Sequence, residues 1–549
     1  MRIYKIIKRF PGYIRYHQLW RKVWLNFIFF LPIICIAQNH YDILIRNGKI
    51  IDGTGNSWFY GDIGIREGKI IKVGNLADAA ASKIINATGL IVCPGFIDVH
   101  THIEGEEIMN PTADNFIYDG VTTVITGNCG ASRVNIGKYL QMIDSLKTSI
   151  NVASLIGHND VRRAVMGTAR RDPNENELIE MENLVEDAMK NGAVGFSTGL
   201  IYIPGTYSKT EEVVRLAKAS AKYHGVYASH MRSEGDSVAE AIRETIHIGR
   251  MAAIPVEISH FKVSGQHNWG RSRETLALIE QARKEGIDVT IDQYPYTASS
   301  TGLSTMIPDE VLADGNDSIK ARLKNAEIKK YVISYMLKKL KQRKLKHFSY
   351  AVVASYRADS SMNGKSIEEI NVLKGRRHRA KEEAETIIEM MLNGGAGMVF
   401  HGMSEEDVKR IMQYPFNMFA SDASIRVYKQ GVPHPRGYGT NARVLSKYVR
   451  DEKVLSLEEA IRRMTSLPAQ KFQLNDRGLI REGMAADIAI FNDSEIKDLA
   501  TFTDPHQYSK GFKYIIVNGQ VVVDNEKHTG TRSGKALYGP GKKSGPIIP

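Results

Sequence analysis

Apolar runs alternate with helical patterns through the middle of the chain, and this alternation constrains the fold more than any other feature. Apolar residues recur at helical spacing in segments 177–191, 210–224, 237–252 and 273–285. Such alternation is typical of parallel βα units. The candidate strands end at Glu104, Gly127, His158, Thr198, His230, His260, Tyr294 and Asp422, and a ninth apolar run spans 398–401. Since a closed barrel needs eight strands, one run is surplus, and we predict an α/β fold built on a (β/α)8 barrel of the TIM type.

The two ends of the chain differ from its middle, because they carry short glycine-bounded apolar runs that predict β-hairpins. These runs lie at 41–93 and 486–523. We therefore predict that both ends fold together as one small β-sandwich domain. The predicted boundaries are 38–92 and 476–535 for this domain, 93–475 for the barrel and 536–549 for a tail.

The segment from about 297 to 395 interrupts the barrel pattern. It is too long for an ordinary βα loop, and its Lys, Arg and Glu residues recur at helical spacing. We predict a helical insertion that covers the barrel mouth, with a flexible lid as the alternative.

The N-terminal segment predicts an export signal. Basic residues precede an apolar run at 23–37 that ends in small residues, a pattern typical of a signal peptide at 1–37 and a periplasmic protein. A membrane span needs about 20 apolar residues, and Asn26 and Pro32 interrupt this run, so no stable span is expected after cleavage. Much of the net charge of +12 lies here and at 320–346. No base-stacking or groove-reading motif accompanies that charge, so we expect no nucleic-acid partner.

Two histidines, His100 and His102, follow an apolar run at the start of the barrel pattern. Residues at i and i+2 in a strand face the same side, so both imidazoles can converge on one metal ion inside the barrel. Two polar residues at a strand end are the alternative interpretation. The pair alone favours metal only weakly, and the later strands decide the question.

Four more candidate ligands follow later strands. Cys129 lies between glycines and polar groups, and a thiolate there could bridge two divalent ions; a small buried hydrophobe is the alternative, which suits Cys93 better. His230 and His260 each follow a serine at the ends of successive strands, a repetition that core packing does not explain. Asp422 ends the last strand, where it could bind metal and transfer protons, or simply cap a helix.

This order of residues resembles the N-acyl-D-amino-acid deacylases (D-aminoacylases) of the amidohydrolase superfamily. The resemblance covers roughly residues 41–535. It includes the motifs at 127–130, 197–202, 229–236, 268–270, 294–296, 433–440, 464–469 and 505–508. It implies zinc-dependent hydrolysis of a small-molecule N-acyl-D-amino acid to a carboxylate and a free D-amino acid.

The resemblance also implies a role for each site residue. One tightly held zinc would bind Cys129, His230 and His260, while His100, His102 and Asp422 would surround a second, weaker position that shares Cys129. Asp422 would be the catalytic proton shuttle. The substrate α-carboxylate would contact Lys262, Tyr294 (rather than Tyr296) and Arg436, a reasonable set because cations bind carboxylates by charge-assisted hydrogen bonds.

Departures from the family pattern, among them an Arg436 slightly farther past Asp422 than expected, weaken any transfer of substrate preference. Ile103-Glu104-Gly105 follows the histidine pair where relatives commonly carry acidic residues, and Ala423 follows Asp422 in place of glycine. The preferred side chain, the acyl group and the oligomeric state do not follow from the sequence.

Rival functions share single features with this pattern. Gly195-Phe196-Ser197-Thr198-Gly199 matches the elbow of serine hydrolases, but no helix begins at Ser197. A cyclic amidase of the dihydroorotase or hydantoinase kind would be expected to bridge its metals with a lysine rather than Cys129. A dipeptidase for D-amino acids is a further alternative. A non-catalytic binding protein has no need of an open metal position.

Overall fold

The computed structural model describes residues 40–544. The predicted signal peptide lies outside this range. Among the described helices, none combines the length and the apolar character that a membrane crossing requires. The strands are β1 (His40–Ile50), β2 (Phe59–Arg66), β3 (Lys69–Gly74), β4 (Ala80–Asn86), β5 (Ile91–Pro94), β6 (Phe96–Asp98), β7 (Val121–Thr126), β8 (Asn151–Ser154), β9 (Ile156–Gly157), β10 (Gly195–Gly199), β11 (Val226–His230), β12 (Val256–Ile258), β13 (Val289–Gln293), β14 (Ala298–Gly302), β15 (Ala351–Ser355), β16 (Gly397–His401), β17 (Asn417–Phe419), β18 (Ile488–Phe491), β19 (Phe512–Val517), β20 (Gln520–Asp524) and β21 (Lys527–His528).

Seventeen α-helices alternate with or follow these strands in the described part of the chain. They are α1 (Glu106–Met109), α2 (Asp114–Ile117), α3 (Ile136–Leu146), α4 (His158–Met166), α5 (Glu175–Lys190), α6 (Thr210–Ala221), α7 (Val238–Ala252), α8 (Ser272–Lys284), α9 (Asn316–Lys324), α10 (Ala326–Gln342), α11 (Ile367–Leu373), α12 (Ala380–Leu392), α13 (Glu405–Met412), α14 (Arg436–Arg443), α15 (Leu457–Met464), α16 (Ser466–Lys471) and α17 (Pro540–Ser544). A π-helical stretch at Val444–Asp451 continues α14.

Eight parallel strand positions close into a barrel, which confirms the predicted fold class. The barrel strands form two parallel sheets, with the orders β6-β7-β8 and β9-β10-β11-β12-β13-β17. Strands β8 and β9 are separated only by Leu155 and together occupy one position of the barrel, which gives eight positions. The sheets meet where the Asp422 backbone N–H donates to the His100 carbonyl at 3.0 Å and the His102 N–H donates to Ala423 at 2.9 Å. Barrel closure therefore brings the first and last strand ends together.

The surplus ninth run lies outside the barrel. Residues 398–401 belong to β16, which pairs antiparallel with β14 and β15 in a separate three-stranded sheet. The insertion is therefore not purely helical, and its sheet extends past the predicted bound at about 395. The sequence did not predict this sheet because β14 is rich in Ser and Thr and carries no apolar pattern. The insertion packs around its own apolar core, which includes Leu303, Val332, Met336, Ile370 and Ile387.

The two chain ends share one sheet with the order β21-β20-β19-β18-β5-β1-β2-β3, in which β4 also pairs with β1. The central contact is antiparallel, with Ile488 of β18 opposite Pro94 of β5. Buried isoleucines fill one face of this sheet, among them Ile43, Ile45, Ile63, Ile65 and Ile488. The segment predicted as a tail returns to the barrel, where the Leu537 N–H donates to the Val152 carbonyl of β8 at 2.8 Å.

Candidate metal centre

The six predicted ligands all follow carboxyl ends of barrel strands. His100 and His102 follow β6, Cys129 follows β7, His230 ends β11, His260 follows β12 and Asp422 follows β17. Three of them have left-handed backbone, with φ of 53° at Cys129, 36° at His260 and 50° at Asp422. Such backbone is costly for residues other than glycine and clusters at functional sites. These turns direct the side chains into the barrel mouth.

The Cys129 thiol is the centre of the first cluster. Its Sγ lies 3.3 Å from His100 Nε2, 3.5 Å from His230 Nδ1 and 3.5 Å from His260 Nε2. The two ring nitrogens of His230 and His260 are 2.7 Å apart. Ligands bound to zinc at about 2.0–2.3 Å stand at comparable separations. The donor set of this cluster therefore fits a zinc ion.

A second cluster adjoins the first at His100. Asp422 Oδ1 lies 3.3 Å from His102 Nε2 and 3.6 Å from His100 Nε2. Because the Nε2 atom of His100 faces both Cys129 and Asp422, the two clusters form one continuous site.

The charges of the site favour the ligand forms of the thiol and the carboxyl group. Burial raises the pKa of the Cys129 thiol, but the imidazoles of His100 and His260 outweigh it and hold that pKa well below its ordinary value. Burial likewise raises the pKa of Asp422, and Arg436 and His100 outweigh it to leave the pKa well below the usual range. Thiolate and carboxylate are the forms that bind metal.

Two further carboxylates, neither of them predicted from the sequence, orient the imidazoles. Asp292 Oδ2 lies 3.2 Å from His100 Nδ1, and its other oxygen accepts the His260 backbone N–H at 2.9 Å. Glu234 Oε1 lies 2.9 Å from His260 Nδ1. Carboxylates that hold one ring nitrogen turn the other toward a metal. Their positions in the sequence could have indicated this role, since Asp292 lies in β13 and Glu234 lies within the motif at 229–236.

The three residues predicted to hold a carboxylate lie together beside the metal cluster. Lys262 Nζ is 5.5 Å and Arg436 Cζ is 4.5 Å from the Tyr294 ring centroid. Arg436 Nη1 contacts Asp422 Oδ2 at 2.9 Å. Among the described residues, the buried Tyr294 hydroxyl and Arg436 Nε have no hydrogen-bond partner. Tyr296 lies instead beneath Arg443, 4.8 Å from its Cζ.

A cavity of about 340 Å³ opens over the metal cluster. Its walls include Cys129, Asp422, Arg436, Tyr202 and Arg426. Arg426, which was also not predicted from the sequence, has no ion pair in the described part of the chain. Burial and the charge of Arg436 lower its pKa. Arg426 therefore gives the cavity a cation in addition to Arg436.

Other candidates from the sequence have structural contacts. The Ser197 hydroxyl donates to the Gly127 carbonyl at 2.5 Å and accepts the Gly130 N–H, so it is not an exposed nucleophile. His158 bonds Glu212 at 2.8 Å. Cys93 lies in β5, where burial raises the pKa of its thiol. His401 is exposed in the sheet of the insertion.

A sequence profile of the amidohydrolase family matches residues 83–523. The chain belongs to this family. The amidohydrolase is 33% identical over 520 residues to a D-aminoacylase of Alcaligenes xylosoxydans xylosoxydans, with 90% of this chain and 97% of the relative covered. It is 33% identical to an N-acyl-D-glutamate deacylase of the same organism, over 88% and 94% of the two chains. The predicted kinship with the N-acyl-D-amino-acid deacylases is confirmed.

Solved structures agree with this assignment. The amidohydrolase matches a crystal structure of D-aminoacylase with a TM-score of 0.78 and 32% identity, over 91% of this chain and all of the other. The same values hold for N-acyl-D-glutamate deacylase from Bordetella bronchiseptica in complex with zinc and a phosphonate inhibitor. A D-hydantoinase shares the fold at a TM-score of 0.53 and 17% identity.

Proposed function

We propose that this amidohydrolase hydrolyses the amide bond of N-acyl-D-amino acids and releases a carboxylate and a free D-amino acid. The observation that carries the proposal is the convergence of Cys129, four imidazoles and Asp422 beside a cationic subsite. D-aminoacylase, N-acyl-D-glutamate deacylase and N-acyl-D-aspartate deacylase, each 32–33% identical to this chain, support it.

Zinc is the proposed cofactor. Cys129, His230 and His260 would hold one ion tightly, and His100, His102 and Asp422 would hold a second, weaker one that shares Cys129. Bound zinc lowers the pKa of its water toward neutrality and polarises the carbonyl of the substrate. A relative solved with zinc and another described with a binuclear metal centre support this proposal.

Asp422 is the proposed general base and acid. Its Oδ1 faces the histidine cluster, and its Oδ2 contacts Arg436. The carboxylate therefore lies between the histidine cluster and the arginine proposed to bind the substrate. It accepts a proton from the water and returns it to the departing nitrogen. The neighbouring arginine keeps it ionised before the reaction, which the first transfer requires.

Lys262, Tyr294 and Arg436 are proposed to bind the substrate α-carboxylate. Lys262 contacts Glu234 at 2.5 Å, while within residues 40–544 the Tyr294 hydroxyl and Arg436 Nε have no hydrogen-bond partner and could receive a ligand. A carboxylate held by these groups is a fixed distance from the metal cluster, so the amide one carbon away is positioned for attack.

Hydrolysis of paired N-acetyl-D- and N-acetyl-L-amino acids tests the proposal. The panel contains Met, Leu, Phe, Glu and Asp, and zinc is measured in the same preparations. Turnover of D substrates only is the expected result. Equal turnover of both hands contradicts the proposal and favours a dipeptidase, whereas hydrolysis of a hydantoin or dihydroorotate in place of the panel favours a cyclic amidase.

Export to the periplasm is also proposed. Support comes from the basic and apolar pattern of residues 1–37. Expression of the full chain followed by fractionation should give a periplasmic protein whose N-terminal sequence begins after Ala37. Recovery of the uncut chain from the cytoplasm contradicts this part of the proposal.

A further inference from the structure

Four metal-ligating side chains meet in the insertion, apart from the barrel centre. They form the insertion cluster, which consists of His347, Glu368, His378 and Glu383. One donor atom from each lies within 4.8 Å of all the others. The proposed hydrolysis uses none of them.

The cluster joins segments that are separate along the insertion. His347 lies in the loop after α10, and His378 lies in the loop between α11 and α12. Glu368 and Glu383 lie in the first turns of α11 and α12. The tertiary fold, rather than a local turn, therefore brings the four side chains together.

The donor atoms face a common point. His347 Nδ1 is 2.6 Å from Glu383 Oε1 and 3.7 Å from Glu368 Oε1. His378 Nε2 is 2.5 Å from the same Glu368 oxygen. The two imidazole rings stack with their centroids 4.2 Å apart and their planes at 19°. Both rings thus present a nitrogen to the same pair of carboxylates.

The two carboxylates lack the partners that such groups usually have. The Glu383 side chain is fully buried, and its second oxygen accepts the Phe348 N–H at 2.8 Å. Within residues 40–544, neither glutamate forms an ion pair with a lysine or arginine, although the insertion is rich in both. Lys374 and Arg376 pair with Glu389 instead. Glu383 is buried and Glu368 is partly buried, and among the described residues the cationic partners that face them are imidazoles. Carboxylates close to each other repel, and a cation between them relieves that repulsion.

We propose that the insertion cluster binds one zinc ion. Two imidazole nitrogens and two carboxylate oxygens are ligands that zinc accepts in a four-coordinate shell. The zinc ion replaces the protons that lie between His347 and Glu383 and between His378 and Glu368, and its charge neutralises both carboxylates. With all four positions supplied by the protein, the site is structural and ties the first turns of α11 and α12, and the loop between them, to the loop after α10.

Zinc counting in the full-length protein tests this site independently of catalysis. The variant His347→Gln/His378→Gln is compared with wild type after dialysis against zinc, and the bound metal is measured by elemental analysis. The double variant should hold one zinc ion fewer and retain its hydrolytic activity. Glu385→Gln is the matched control on the same helix α12, and it should hold as much zinc as wild type. Equal zinc in wild type and the double variant overturns the proposal.

A second variant guards against misfolding of the double variant. The His378 side chain is 55% exposed, so His378→Gln leaves the packing of the insertion intact. Loss of one ligand should weaken zinc binding at this site by at least about 10-fold in a chelator competition, because mutation of residues that only hydrogen-bond to metal ligands already lowers metal affinity by that factor. An unchanged affinity for every zinc equivalent overturns the proposal.

Discussion

At the scale of single residues, the site depends on three left-handed turns that follow barrel strands. Cys129, His260 and Asp422 each leave a strand with positive φ. This backbone costs roughly 1–2 kcal/mol for a residue with a Cβ. The strands on either side hold these residues in place, so the energy of the fold maintains the geometry that the metal ligands need.

Replacement of Asp422 by Asn should lower kcat by about 10²–10⁴-fold, the range typical of a lost general acid–base. Asn has the same shape but cannot accept the proton of the water. Steady-state kinetics measure the effect, and elemental analysis should show that the tightly held zinc remains. Activity close to wild type contradicts the proton-shuttle role.

Cys129→Ala should remove most of the bound zinc from the barrel, because the thiol faces three imidazoles within 3.5 Å. Elemental analysis after dialysis measures the loss. Cys93→Ala is the matched control, since that thiol lies in the sheet of the chain ends and should leave the zinc content unchanged. Full zinc in Cys129→Ala shows that the thiolate is not a ligand.

Arg426→Met should reduce kcat/KM for N-acetyl-D-glutamate and N-acetyl-D-aspartate more than for N-acetyl-D-leucine. The guanidinium lines the substrate cavity and has no carboxylate partner among the residues that the structure describes, and a charged hydrogen bond is worth about 1.5–3 kcal/mol. The selective loss should therefore be about 10- to 150-fold. Equal losses on all three substrates would show that Arg426 does not select the side chain.

At the scale of elements, helix α16 connects to the floor of the barrel through a buried lysine. Lys471 Nζ donates to the Asp288 carbonyl at 3.0 Å and lies 3.2 Å from its carboxylate. Asp288 directly precedes β13. Burial lowers the pKa of Lys471 from 10.5 to about 8. The helix thus adds a charged contact at the end of the barrel opposite the metal cluster.

Lys471 gives a pH dependence whose sign follows from that shift. Below pH 8 both the folded and unfolded chains hold the proton, and the folded chain bears the cost of the buried charge. Between pH 8 and 10.5 the unfolded chain binds more protons, so stability rises with pH. Relative to Lys471→Met, the free energy of unfolding of wild type should rise by on the order of 3 kcal/mol over this range. If denaturant titrations show that the free energies of unfolding of wild type and Lys471→Met change in parallel with pH, this expectation is wrong.

At the scale of the whole molecule, both chain ends are parts of the core structure. The N-terminal strands and β18–β21 form one sheet, and the segment after β21 pairs with barrel strand β8. Along the edge of β8 that does not pair with β7, the Val152 N–H donates to the Lys535 carbonyl at 3.0 Å and the Val152 carbonyl accepts the Leu537 N–H at 2.8 Å. The Ala536 N–H and the Tyr538 hydroxyl both donate to the Asp144 carboxylate, at 2.9 and 2.8 Å.

Truncation after Ser533 should therefore lower the Tm and expose the edge of β8 to aggregation. Differential scanning calorimetry and light scattering measure the two effects. Tyr538→Phe removes one hydrogen bond while it keeps the ring, and should cost only about 1 kcal/mol. A truncated chain with the Tm of wild type would show that the segment is dispensable.

The sequence determined the barrel and the six residues at its strand ends, because strand–helix periodicity and chemistry-bearing residues at strand ends are local signals. It left the strand count ambiguous, since the β16 segment has the apolar character of a barrel strand and only its antiparallel partners place it in the insertion. The roles of Glu234, Asp292 and Arg426 were not predicted either. Charged residues near strand ends are common, and only the tertiary partner of such a residue determines its role.

Only the tertiary structure determined which side chains contact each other across the barrel and within the insertion. It placed the Asp292 carboxylate against the ring of His100, and it joined His347 to Glu383 across the insertion. Contacts of this kind link residues that are distant along the chain, so no spacing in the sequence encodes them. They arise only when barrel closure and helix packing place separate strand ends and helix turns a few ångströms apart.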